Sequence, residues 1–483
     1  MHGFSLFLQF ALSAVLISVS ALSAQLVVLA CLRCFRKSPR LVLLSPPDDE
    51  LPEVLVQLPV CNEGALALRV AAAAAAMDWP ADRLTIQLLD DGDSDKHEVL
   101  AETVARVIPP GVGFQCLRRG DRTGFKAGNL AFGLRHSDAP YVAIFDADFV
   151  PPSDFLRRTI PVLAADPGLS FVQTRWGFAN RDLNWLTRVQ GILLDAHFAV
   201  EQEARIRAGL PISFNGTAGV WNRDAIDDGG GWTGDTLTED LDLAMRCAMK
   251  GWRTAMLPDV EVPSELPETA AAWHAQQGRW TKGHAQVARK LLPQVWGSEM
   301  PLWKKAVMTL QMCQFAFYIL AFASAVIGLG LIYVRADMLL GITALGLAAS
   351  FFGLCASLGY LYLGQYKLGR QNRARLVRSL LLSVVFPSGL ILANTRATFE
   401  AFFSTRMDFH RTLRAGETPA SGWCGGPELV AGVLLPAFAF SEHQAWSALF
   451  FFFAVTGLVS IGGMGLFNRL SPPRSRARIS AGE

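Results

Sequence analysis

The chain has no run of lysine and arginine dense enough to track a nucleic-acid backbone. Its formal net charge is only +2 over 483 residues, so no nucleic-acid partner is expected. Internal repeats and extended low-complexity tracts are also missing, which sets aside solenoid and linker architectures. Cysteine is unpatterned: eight residues share no repeated spacing. Cys31-x-x-Cys34 is the one close pair, and a CxxC without a second pair is a weak metal or redox signal. Reduced thiols in a cytosolic domain are expected. Ahead of the first apolar run there is no basic segment, which argues against a cleaved signal peptide.

What is abundant is hydrophobic surface. Apolar residues make up 51% of the chain, more than a soluble average, and they concentrate in residues 4–32 and after residue 305. Residues 4–32 carry no charge and are long enough to cross a bilayer. Arg33, Arg36, Lys37 and Arg40 follow at once, so the positive-inside rule puts the N-terminus outside and the next segment in the cytosol.

The middle of the chain alternates strands and helices. Val54–Val60, Leu84–Leu89 and Tyr141–Phe145 read as buried strands; about Ala65–Met77 and Glu98–Val107 read as helices. That alternation predicts a mainly parallel sheet with helices on its faces, whose ligands bind at the carboxyl ends of strands. Acidic residues fall there: Asp90-Asp91-Gly92 after one strand, Asp146-Ala147-Asp148 after another. Arg181–Gly209 reads as a long helix, and Glu239–Lys250 as another, with Gly251 at its C′ position.

Residues 306–334 and 338–364 read as two membrane spans. Ser379–Leu392 is apolar but short, contains Pro387 and is flanked by basic loops, so it reads as interfacial or re-entrant. Leu429–Phe440 and Trp446–Phe467 make a closing hairpin. The whole reads as a multi-pass protein of the inner, or cell, membrane with a cytosolic catalytic domain.

Alternation along a strand would point Asp146 and Asp148 to one face, where two hard oxygen ligands suit Mg²⁺ or Mn²⁺. Asp90 or Asp91 suits the base or ribose of a nucleotide. Lys126 opens a helix and is placed to meet phosphate. Asp240 is the candidate catalytic base, able to take a proton from an attacking hydroxyl. Glu239 beside it has an ordinary explanation, because Thr236-x-x-Glu239 has capping-box spacing. Gln276, Arg279 and Trp280 lie three and four apart, on one helical face. They offer a cation for diphosphate and a flat ring for a sugar. An interfacial helix with a Trp belt would look similar.

Together these residues resemble family 2 inverting glycosyltransferases of the membrane-bound, processive type, such as cellulose synthases. The resemblance covers about residues 52–296. It is similar in further detail to the plant cellulose-synthase-like A and C enzymes, through Gln173–Trp176, Asp195–Glu203 and Phe214–Trp221. It implies an α/β domain of GT-A type, with a mixed, mainly parallel sheet, beside an α-helical membrane region. It implies nucleotide, metal, base and acceptor roles for the residues above, and substrate contacts for Asn215, Gly216 and Thr217. Asp408–Thr412 resembles a gating loop, with Thr412 at the donor, but Arg411 departs from the usual pattern.

The implied reaction joins hexoses from UDP-glucose or GDP-mannose into a β-1,4-linked glucan or mannan, exported through the spans. A single transfer to a lipid such as ceramide or diacylglycerol is the nearest rival. A transporter or scaffold with an idle transferase-like domain is the next. The expected partners are a nucleotide-sugar donor, a polysaccharide acceptor and the lipid bilayer; an accessory export subunit is left open. The expected division is an anchor over 1–45, a catalytic domain over 46–300, a helix pair over 301–366, an interfacial helix and gating-type loop over 367–427, a hairpin over 428–468 and a basic tail over 469–483.

Overall fold

The structure is a computed structural model that describes residues 2–41, 46–334, 339–370, 373–403, 426–441, 457–459 and 463. Thr412 with its loop, most of Trp446–Phe467 and the 469–483 tail lie outside the described residues.

Seven strands form one sheet: β1 (Val54–Val60), β2 (Leu84–Asp90), β3 (Gly113–Arg118), β4 (Tyr141–Ile144), β5 (Leu169–Phe178), β6 (Gly219–Asn222) and β7 (Arg253–Ser264). Their order is β3-β2-β1-β4-β6-β5-β7. All neighbouring pairs are parallel except those of β6, which is antiparallel to β4 and β5. Valine and leucine fill β1 because helices cover both of its faces. Its one buried glutamine is bonded through its amide nitrogen, while its Oε1 has no partner among the described residues. Gln57 donates to Gln87 at 3.1 Å, and Gln87 donates to Gln115 at 2.7 Å. The three sit in register on adjacent strands, so each amide satisfies the next.

Two cores lie on opposite faces of the sheet. One packs Val56, Leu58, Ile86 and Leu88 under the alanine-rich helix Gly64–Ala75. The other centres on Trp221, whose ring lies 4.6 Å from Phe171 and 5.2 Å from Phe214. Because β6 runs against its neighbours, the loop that enters it lies at the carboxyl end of β4, where Ile144 pairs with Gly219. That reversal brings residues 215–217 beside Asp146.

Among the described residues, four helices are long and apolar enough to cross a membrane: Gly3–Phe35, Ala316–Tyr333, Leu340–Lys367 and Leu376–Phe403. Two of them differ from the sequence reading. The span expected from Ala306 is broken at Cys313–Phe315 into Leu302–Met312 and Ala316–Tyr333. The first piece lies on the catalytic domain. Met308 and Met312 join its core, and Gln311 bonds Arg205 and Ser213. The segment expected to be short at Ser379–Leu392 is part of a longer apolar run, because helix continues through Pro387 as a 3-10 turn. Pro387 sits at the start of that turn, where its missing N–H leaves no bond unmade.

The helix Leu340–Lys367 docks on the catalytic domain. Tyr360 donates to the Ala196 carbonyl at 3.0 Å. Asp195, 1% exposed, accepts from Gln365 at 2.9 Å and Arg370 at 3.0 Å, and also pairs with Arg181.

Candidate active site

A cavity of about 290 Å³ opens at the carboxyl edge of the sheet. Asp91, Lys126, Asp146, Asp148, Glu239 and Asp240 line it, with Asn215, Gly216, Gln276, Arg279 and Trp280. Residues from six separate stretches of sequence thus meet around one space.

Asp146 and Asp148 reach it by a route other than strand alternation. β4 stops at Ile144, and the two acids lie on a turn closed by Phe149 N–H to the Asp146 carbonyl at 3.0 Å. Asp146 receives the Lys126 ammonium at 2.5 Å, and Lys126 also donates to the Gly216 carbonyl at 2.9 Å. Burial alone would pull Lys126 down, but Asp146 and Glu239 outweigh it and raise its pKa. Asp148 accepts from the Ser264 hydroxyl at 3.2 Å. Two carboxylates on one turn fit Mg²⁺ or Mn²⁺, which completes its shell with water and phosphate oxygens. No group of three or more such ligands occurs among the described residues, so a cation would take its remaining ligands from a bound phosphate and water.

Two expected contacts stand back from the cavity. The Asp90 carboxylate is spent on the Gly92 N–H at 2.8 Å and on His97 Nδ1 at 2.8 Å, so it shapes the turn. Asp91 is the acid on the wall, gripped by Arg119 through two bonds of 2.8 and 2.7 Å. Thr217 is 1% exposed, and its hydroxyl accepts the Asp146 backbone N–H at 2.9 Å. It holds Asp146 from behind.

Gly216 has φ +77, and a Cβ there would come within 3.2 Å of Asp240 Oδ2. Glycine therefore supplies both the left-handed turn and the room for Asp240. Asp240 is the second residue of the helix Glu239–Met249, whose N-cap is Thr238. The expected capping box does not form, because Thr236 lies two residues outside the cap. Burial, then the neighbouring Glu239, pushes the Asp240 carboxyl up to about 7. Burial also raises Glu239. Gln276, Arg279 and Trp280 project from the helix Ala270–Gly297, started by Thr269 Oγ1 accepting from Ala272 N–H at 3.2 Å. Burial lowers the Arg279 pKa, against the pull of Asp146, Glu239 and Asp240.

Glu63, Arg122 and Trp176 also line the cavity. Glu63 stands just past a strand end, where the sheet rule points. Trp176 carries no such signal, being one apolar residue in a strand. A second cavity, of about 520 Å³, lies among the helices Gly3–Phe35, Ala316–Tyr333 and Leu340–Lys367 and the catalytic domain. Trp176, Leu194, Asn215, Thr238, Asp240, Gln276 and Trp280 border both spaces and form the neck between them.

Comparison with known proteins bears on this arrangement. The description "Glycosyl transferase family group 2" matches residues 141–393, and "Glycosyl transferase family 2" matches residues 56–225. Glucomannan 4-beta-mannosyltransferase 1 of Oryza sativa subsp. japonica is 43% identical over 271 residues, 54% of this chain and 52% of that protein. Glucomannan 4-beta-mannosyltransferase 2 of Arabidopsis thaliana is 43% identical over 268 residues, 53% of this chain and 50% of that protein. The chain spans about half the length of these curated relatives. The structure of mannosyltransferase PcManGT from Pyrobaculum calidifontis in complex with GDP-Man and Mn²⁺ is similar in fold. Its TM-score is 0.54 at 21% identity, over 77% of this chain and 98% of that one.

Proposed function

The chain belongs to glycosyl transferase family 2, with a GT-A type sheet, and from that premise we propose that it is an inverting β-hexosyltransferase building a β-1,4-linked glucan or mannan. The observation that carries this reading is the shared cavity: Asp240, the Asp146–Asp148 turn and the Gln276–Arg279–Trp280 face enclose one space.

The donor is a nucleoside diphosphate hexose. Asp91, on the cavity wall, is assigned to the nucleoside, and Arg279 and Lys126 supply positive charge for the diphosphate. Asp146 and Asp148 would hold Mg²⁺ or Mn²⁺, which neutralises charge on the leaving diphosphate. Trp280 offers its face to the acceptor sugar. The Asp240 carboxylate takes the proton of the acceptor hydroxyl as that oxygen bonds to the anomeric carbon. The anomeric carbon–phosphate oxygen bond breaks, the nucleoside diphosphate leaves, and one displacement inverts the centre.

The second cavity supports repeated addition and export, because the neck beside Asp240 opens toward the apolar helices. The basic segment after residue 32 supports a cytosolic catalytic domain with the N-terminus outside. The purified protein in lipid, given UDP-glucose or GDP-mannose with Mg²⁺ or Mn²⁺, is expected to release nucleoside diphosphate and lengthen a β-1,4-linked chain. A product carrying one added sugar on a lipid would replace polymerisation by single transfer. No nucleotide release with any hexose donor would remove the reading.

A further inference from the structure

The helix that begins at Trp185 changes pitch. It is α-helical to Ala196, makes one π turn over His197–Gln202 and resumes as α over Glu203–Arg207. A π turn closes i→i+5 bonds, so its first residue faces both the fourth and the fifth after it. Here His197 faces Glu201 and Gln202 together. His197 Nδ1 lies 3.1 Å from Glu201 Oε2, and Gln202 Nε2 lies 3.0 Å from His197 Nε2, two nitrogens set side by side that share one acceptor rather than bonding each other. An α-helix would turn Gln202 away.

The cluster reaches the loop before β6: Gln202 Nε2 donates to the Ser213 carbonyl at 3.3 Å, and two nitrogens converge on Asn215. His197 Nε2 meets Asn215 Oδ1 at 3.1 Å, and Gln202 Nε2 donates to the same oxygen at 3.3 Å. Glu201 is braced behind His197 by Arg205 at 3.1 Å and by Gln314 Nε2 at 3.2 Å. Although burial opposes it, the His197 bond and Arg205 hold the Glu201 carboxyl down at about 2. The Asn215 backbone is fixed too, its N–H donating to Gln173 Oε1 at 3.0 Å. The Asn215 side-chain oxygen and backbone N–H are thereby both bonded. Its amide nitrogen is buried and has no partner among the described residues. The buried Thr238 hydroxyl is likewise without one. Both residues line the neck with Asp240. A buried donor left unbonded costs roughly 1–3 kcal/mol, which favours a ligand that supplies the acceptor.

We propose that His197 is a positioning residue for the sugar acceptor: the π turn lets it hold the Asn215 side-chain oxygen, leaving the amide nitrogen to bond an acceptor hydroxyl beside Asp240. The inference rests on the transferase reading above and assigns one of its acceptor contacts. It does not concern the donor, whose candidate contacts lie around Asp91, Lys126 and Arg279.

The test is steady-state kinetics of the full chain in lipid nanodiscs. The donor is whichever of UDP-glucose and GDP-mannose the wild type uses; the acceptor is cellotetraose or mannotetraose to match. His197→Leu and Asn215→Asp are expected to raise acceptor KM about tenfold while donor KM stays within about twofold, the size set by one lost hydrogen bond. His197→Gln, which keeps an N–H donor, is expected to recover most of the acceptor KM. A parallel rise in donor KM, or failure of His197→Gln to recover, would mean a merely structural role and overturn the proposal. An unchanged acceptor KM in His197→Leu overturns it as well, and a wild type inert toward every donor removes the transferase reading instead.

Discussion

Asp240 is held in a form that opposes its use. Its carboxyl is pushed up to about 7 by burial and by Glu239, and a protonated carboxyl cannot accept a proton. Nucleoside diphosphate release at saturating donor should therefore climb with pH and level off above about 7. Asp240→Asn should lower it by about 10²–10⁴-fold. The same shift has a stability consequence of definite sign. The folded state binds this proton more tightly than the unfolded chain, whose aspartate titrates near 4, so stability drains away as pH rises from about 4 to 7. Asp240→Asn escapes that loss. Its melting temperature without ligands should exceed the wild type's at about pH 8 and match it near pH 4. Asp91, Asp146, Asp148 and Asp240, singled out in the sequence by residue type and position, line one cavity. Asp90 and Thr217 stand behind it, since which of two adjacent groups faces a cavity depends on turn geometry that no motif spells out. His197 lies within the Asp195–Glu203 stretch of the resemblance, but nothing in the sequence marks it out, because a π turn leaves no periodic mark.

Among the elements, the helix Leu340–Lys367 packs closely on the helix Trp185–Ala196. A Cβ on Gly364 would lie 2.8 Å from the Ala196 Cα and 3.1 Å from its Cβ. The first neighbour is backbone and cannot swing aside. Gly364→Val should therefore lower stability by about 1–3 kcal/mol in thermal melts. Gly359→Val in the same helix, where nothing lies within 4 Å, is the control and should change little. β1, β2 and β4 were readable from the sequence almost to the residue, since Val54–Val60 and Leu84–Leu89 are apolar runs bounded by polar turns; β3, β5, β6 and β7 were not, having no such clean apolar run. The break at Cys313–Phe315 was not. Both pieces are apolar, and only Gln311, Met308 and Met312 meeting the catalytic core distinguish a docked helix from a spanning one.

For the whole molecule, four long apolar helices frame a catalytic domain. The protein should stay with membranes through alkaline carbonate washing and leave them only in detergent. Leu12 and Leu16 of the first helix pack on Leu331 and Ala349, so that helix belongs to the bundle rather than standing apart. The order of strands and the reversal of β6 lay beyond the sequence, because strand pairing is settled by contacts between distant segments. The placing of Asn215 and Gly216 at the cavity beside Asp146 depends on that reversal and could be expected only through the resemblance.

Asp195 bears on how this protein can be taken apart. Of the cations it touches, Arg181 comes from the catalytic half and Arg370 from beyond the helix Leu340–Lys367. Trimming the chain to a water-soluble enzyme would strip the acid of Arg370 and Gln365 and bare the Ala196 surface that Gly364 covers. Dissection in search of an easier specimen would wound the half it meant to keep.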